Sequence, residues 1–190
     1  MNITKEMLNH FIERTNKHIN LVKEVYNKSA HNLFKLDDYH EKNIVDEQLS
    51  SHDHTKFSKE LMFYYILITW RYKCIRDGVE LIVPERIEKE MNNVTEIHCK
   101  TEKHHPEYWS DETNCINIQD RDKPCKCIDV TKMPVSALIQ MVCDWCAVSI
   151  ERNSNPRDWF NSNLNTRWHF SDHQVNFINE FIDIFWRLYE

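Results

Sequence analysis

Glycine is almost missing from this chain: Gly78 is the only one in 190 residues, where average usage would give roughly thirteen. Tight hairpins and phosphate-cradling loops depend on glycine because their backbones need positive φ. The scarcity argues against a sheet-rich fold. It also excludes the P-loop and the dinucleotide-binding fingerprint, each built on several glycines. Long apolar runs are missing too, and no stretch approaches the roughly 18 residues of a membrane span. Met1 to Asn20 is polar and has no apolar signal region, so a soluble, cytoplasmic protein with no membrane association is expected. An excess of positive charge is absent as well: the net charge is −6 with histidine neutral. That gives no strong nucleic-acid signal, although a small basic pocket remains compatible with it.

What is present fits a folded helical protein. Hydrophobic residues make up 41% and charged residues 28%, a globular balance. No repeat and no Pro/Gly/Ser-rich linker interrupts the chain, so one domain over residues 1–190 is expected. Apolar residues at helical spacing predict a first helix over Thr4 to Asn27, carried by Leu8, Phe11, Ile12, Ile19, Val22 and Val25. Further helices are expected over Lys42 to Asp53, Ser58 to Arg76, Pro84 to about His104, and Pro134 to about Arg152. Ser58 serves as an N-cap and Gly78 as a stop. Residues 110 to 132 read as irregular and Asn153 to Arg157 as a loop. A last helix starts near Ser171, where Ser171 and Gln174 make a capping box. The fold class is therefore all-α, a bundle of five or more helices.

Eleven histidines and seven cysteines remain to be explained. The cysteines read as reduced thiols, and Cys143 and Cys146, inside an apolar helix, as small buried hydrophobes. A zinc cluster of Cys125, Cys127, Cys143 and Cys146 is the weaker reading. Trp109, Trp145, Trp159 and Trp168 read as core rather than as a stacking platform, and His10, His31, His40, His54, His169 and His173 carry no assigned role. Helical spacing puts His18 on the face of Val22 and Val25, so it points inward. Asp144 lies between Met141 and Val148 at helical spacing, also near the apolar face. A carboxylate there is costly unless paired or ligated. His52-Asp53 sits near a helix end, where neighbouring side chains can converge. Mixed imidazole and carboxylate donors suit a divalent ion.

The order His18, His52-Asp53, Asp144 resembles the H…HD…D pattern of the HD-domain superfamily of metal-dependent phosphohydrolases, whose fold is a helical bundle. Lys56, three after Asp53, is similar to the HDxxK pattern of HD-GYP cyclic-dinucleotide hydrolases and of inositol oxygenases. His104-His105 resembles the HH pair of the HD-GYP proteins, but Glu107-Tyr108-Trp109 stands where their Gly-Tyr-Pro signature would be. Cyclic-dinucleotide specificity is therefore not carried over. The segments HDHTKF, KHHPEYW and MP…MVCDW look closer still to a family of small phage and bacterial proteins with HDxSKF, NKHHPEYW and MP…EM..DW segments. That family brings no established activity, though its phage members are compatible with a viral origin.

The superfamily resemblance implies metal-assisted hydrolysis of a nucleotide or other small phosphoester. It implies one or two divalent ions (Mn, Mg, Fe, Co or Zn) held by His18, His52, Asp53 and Asp144, with His98 and one of His104 or His105 at a second site. Asp53, Lys56 and His105 are the implied catalytic groups: Asp53 bridging ions or orienting water, Lys56 holding a phosphate, His105 acting on a proton. His98 and His105, seven apart, would lie about 10 Å apart along one helix. They can share an ion only if that helix breaks near Lys103. The same ligands would serve a di-iron oxygenase of the inositol-oxygenase type, or a non-catalytic binding protein with a structural metal. Self-association into a homo-oligomer is left open.

Overall fold

A computed structural model describes residues 1–33, 39–112 and 126–189. The described elements are α1 (Lys5–Leu33), α2 (Tyr39–Ser50), α3 (Met62–Arg76), α4 (Glu85–Thr101), α5 (Val135–Arg152), α6 (Pro156–Asn163) and α7 (Asp172–Tyr189). Two short 3-10 turns, His54–Phe57 and Pro106–Trp109, and two strands, β1 (Ile128–Asp129) and β2 (Trp168–His169), complete the set. The chain is thus an α-helical bundle with a minimal sheet.

α5 is the central rod. Nearly every residue from Ser136 to Ala147 is buried, the mark of a helix surrounded on all sides. It packs on α1, α2, α6 and α7. The larger apolar cluster gathers around it, with Val22 and Val25 of α1, Val45 of α2, Phe160 of α6, and Ile178, Phe181 and Phe185 of α7. A second cluster joins Met7 and Phe11 of α1 to Leu61, Leu67, Met91 and Val94 of the α3–α4 pair. α1 belongs to both. Its buried face runs through Met7, Phe11, Thr15, His18, Val22, Val25 and Ser29, steps of three and four that keep one stripe inward. Its first half joins one cluster and its second half the other. His18 falls at the seam.

Several boundaries differ from the sequence expectation. α2 ends at Ser50, and residues after it turn, leaving Asp53 in the left-handed region at φ 61. α3 begins at Met62 rather than Ser58. Ser58 still caps, because its Oγ accepts from the Leu61 N–H at 3.3 Å and its carbonyl from Met62 at 2.9 Å. Gly78 ends α3 at φ 69, the conformation that favours glycine. α4 stops at Thr101, not His104, and Glu102 is extended. Asn153–Arg157 is only partly loop, since α6 starts at Pro156, with Asn155 Oδ1 accepting from the Arg157 N–H at 2.8 Å. Of the irregular stretch 110–132, residues 113–125 lie outside the described residues. Ile128–Asp129 pairs in parallel with Trp168–His169.

Candidate metal centre

The seam between the two apolar clusters is filled with polar side chains. α1 brings His18, the turn after α2 brings His52 and Asp53, α4 brings His98, the turn after α4 brings His104 and His105, and α5 brings Asp144. His18 Nε2 lies 2.8 Å from Asp144 Oδ1 and 3.8 Å from Asp53 Oδ2. His52 Nε2 is 4.0 Å from Asp53 Oδ2. The other oxygen of Asp53 faces His98 Nε2 at 3.2 Å and His104 Nε2 at 3.9 Å. Asp53 thus stands in the middle, one oxygen toward His18 and His52 and one toward His98 and His104. Lys56 Nζ sits on Asp53 Oδ2 at 2.5 Å.

Donor atoms gather into sets whose members lie within 4.8 Å of one another: His18, His52 and Asp144; His52, Asp53 and His104; His98, His104 and His105; and Cys99, His105 and Glu107. The early end of α4 is what brings His98 to His105. The chain turns after Thr101, the His105 N–H donates to the Glu102 carbonyl at 3.0 Å, and the two imidazole rings come to 4.8 Å between centroids. On one continuous helix they would have stood about 10 Å apart.

Supporting residues that sequence reasoning missed orient these donors. Thr55 Oγ1 lies 2.7 Å from His98 Nδ1 and donates to Glu102 Oε1 at 2.7 Å. With its one hydroxyl proton given to Glu102, Thr55 accepts from Nδ1–H, which leaves the His98 Nε2 lone pair aimed at Asp53. Gln140 Nε2 lies 3.1 Å from His52 Nδ1. Glu151 Oε2 lies 3.6 Å from His18 Nδ1. Gln140, Asp144 and Glu151, four and seven apart on α5, share one helical face, a signal the sequence did carry. Thr55 and Glu102 gave none, because their roles exist only after two turns meet.

Electrostatics divides the imidazoles into two kinds. Burial holds His52 and His98 below the usual histidine range, and His104 well below it. These three are neutral, as a metal ligand must be. His18 is the opposite. Burial works against its charge, but the Asp144 hydrogen bond and Glu151 raise it to about 9. Burial also opposes the charge on Asp53, yet the Lys56 ammonium beside it holds its carboxyl well below the usual range. Asp144 is likewise depressed against its burial by His18.

The donor set fits a divalent ion. His52 Nε2, Asp53 Oδ1 and His98 Nε2 are buried and have no hydrogen-bond partner in the protein. Each such atom costs about 1–3 kcal/mol, a cost that cations held among these donors would relieve. A cleft of about 510 Å³ reaches the cluster, with Asp144 and His105 in its lining beside Arg71, Tyr72, Arg152 and Trp159. A more open depression lined by Asn16, Lys23, His54 and Phe57 includes none of the clustered histidine and aspartate ligands.

Other expectations resolve more simply. Cys143 and Cys146 are fully buried in α5, and burial pushes both thiols up. That suits inert packing, not a zinc cluster. Cys125 lies outside the described residues. Trp145 and Trp168 are buried core, stacked with centroids 5.7 Å apart. No described helix is long and apolar enough to cross a membrane.

Fold and site define a helical-bundle protein with a buried histidine–aspartate cluster able to hold a metal ion. Residues 7–184 match the Family of unknown function (DUF5662), and the chain belongs to it. No curated protein and no solved structure matches.

Proposed function

We propose that the protein is a metal-dependent phosphohydrolase of HD-domain type, acting on a nucleotide or another small phosphoester. One observation carries the reading: His18, the neighbouring His52 and Asp53, and Asp144 come from three separate parts of the chain and bring donor atoms within 2.8–4.0 Å of one another, beside a cleft that Asp144 lines. His18, His52 and Asp144 would hold one ion, and His98 and His104 a second, with Asp53 between the two groups. Such ions supply Lewis acidity toward a phosphoryl oxygen and lower the pKa of a bound water.

The chain's own residues do the rest. Asp53 contributes the negative charge that makes cation binding favourable and offers one oxygen to each group. Lys56, which pairs with Asp53 at 2.5 Å, would be released once bound cations offset that charge and could then hold a substrate phosphate as a point charge. The Thr55–Glu102 pair fixes the His98 tautomer. The cleft admits a small molecule and excludes bulk water from most of the cluster.

Elemental analysis of untagged protein purified without chelator tests the first half of this reading. Hydrolysis of p-nitrophenyl phosphate and a series of nucleotides tests the second. At least one divalent ion per chain is expected, with activity lost on chelation and restored by metal. Asp53→Asn should lower activity by orders of magnitude while keeping the helical spectrum, since even indirect support of a ligand is worth about 10–100-fold. Protein purified with no bound metal and showing no metal-stimulated turnover sinks the proposal. Bound iron with oxygen-dependent turnover replaces it with the di-iron oxygenase reading, and bound metal without any turnover with a structural one.

A further inference from the structure

Cys99 and Glu107 have no part in the proposed hydrolytic machinery, and His105, the proton-transfer group the resemblance implies, stands between them and the histidine–aspartate cluster. The geometry points to a separate site for a thiophilic divalent cation, zinc in particular, formed by these three residues on the wall of the cleft.

The placement follows from the break in α4. Cys99 is one residue after His98, so the helix turns its side chain about 100° away from the Asp53 cluster. The chain then reverses after Thr101, and Pro106 starts a 3-10 turn that holds His105 at its cap and Glu107 in its first positions. His105 and Glu107 are thereby returned against Cys99. The Sγ, one imidazole nitrogen and one carboxylate oxygen lie within 4.8 Å of one another. All three residues line the cleft of about 510 Å³, and Cys99 and Glu107 are otherwise buried.

The donors are of a different chemical kind from those of the histidine–aspartate cluster. A thiolate favours zinc and cobalt over magnesium, calcium or manganese. Three protein ligands facing an open cleft leave a fourth position for water or a ligand, the arrangement of reactive rather than structural zinc. As the sulfur–metal bond forms, the Cys99 thiol proton leaves to solvent, so binding strengthens as pH rises. Glu107 is already oriented for the task. Its Oε1 accepts from Trp168 Nε1 at 3.1 Å and pairs with Arg167 at 3.4 Å. These partners from β2 and its flank fix the plane of the carboxylate, as supporting residues do around metal sites. His105 also belongs to the set with His98 and His104. A cation at Cys99 takes His105 from that set and leaves His98, His104 and Asp53 to each other.

Cobalt(II) titration of chelator-treated protein tests the site, because a thiolate ligand produces a sulfur-to-cobalt charge-transfer band in the near ultraviolet. The histidine–aspartate cluster contains no thiol and gives no such band. Wild type should show the band at about one equivalent, and Cys99→Ser should lose it. His105→Ala, at a half-buried position better able to tolerate change, should weaken cobalt binding at this site by at least about tenfold. His18→Ala, which dismantles the other centre, should keep the band, so the two readings fail separately. Absence of the band in folded wild type overturns the inference, as does a band that survives both Cys99→Ser and His105→Ala or disappears with His18→Ala. Rapid alkylation of Cys99 without any band overturns it also, in favour of a nucleophilic thiol.

Discussion

His18 carries a proton in the metal-free protein, shared with Asp144 at 2.8 Å, that a cation must displace. Its raised pKa, about 9 against an ordinary 6.5, fixes the sign of the pH dependence. The ion pair contributes its full stabilisation below pH 6.5 and loses it as pH rises through about 9. At the acid end the depressed Asp144 loses the same contribution as pH falls below its ordinary range. It is one interaction and counts once. Chelator-treated protein should therefore melt several degrees lower above pH 9 than below 6.5, since about 1 kcal/mol moves the midpoint roughly 2–4 °C in a chain of this size. His18→Ala should flatten that slope, and an unchanged slope in the variant would assign the effect elsewhere. The inward faces of His18 and Asp144 were legible in the sequence because both sit in apolar stripes of known period. The identity of the proton's holder was not, because it depends on Glu151 reaching across from α5 to the far nitrogen of the same ring.

At the scale of elements, Gln174 is the joint between α7 and the turn before α5. The Ser171 N–H donates to Gln174 Oε1 at 2.9 Å, and the Gln174 N–H donates to Ser171 Oγ at 3.3 Å, closing the capping box. The same side chain spends its amide protons elsewhere: Nε2 donates to the carbonyls of Thr131 at 3.1 Å and Met133 at 2.8 Å. Ser171→Ala should cost about 1 kcal/mol, an ordinary cap. Gln174→Ala should cost more, about 2–3 kcal/mol, because carbonyls near the start of α5 lose their donor as well. Urea midpoints compare the two directly, and equal losses would show that the second set of bonds contributes nothing. The capping box was visible as Ser171 and Gln174, three apart, but its tertiary half was not. The same holds for the two-residue strands, too short to show alternation. It holds for the end of α4 as well: the helical pattern continued to His104, but the extended Glu102, whose carboxylate Thr55 engages, breaks it at Thr101. α6 went unread because its eight residues offer barely two turns of pattern.

Across the described residues the polar seam joins two apolar clusters, and α1 contributes to both. A cation held by ligands from α1, the turn after α2 and α5 would tie these parts together, so its loss should be felt globally. Chelator is expected to lower the melting temperature of wild type and hardly alter that of Asp53→Asn; equal sensitivity would separate Asp53 from metal binding. The mainly helical architecture was legible from one glycine and six periodic segments. The position of the seam was not, since no local pattern says which turns of different helices will meet. The four donor sets are linked in a row, each sharing a single histidine with the next: His52, then His104, then His105. A neutral imidazole has only one lone pair to give. Adjacent sets therefore exclude one another, and a cation seated at any one of them decides, through these three rings, which of the others remain open to occupancy.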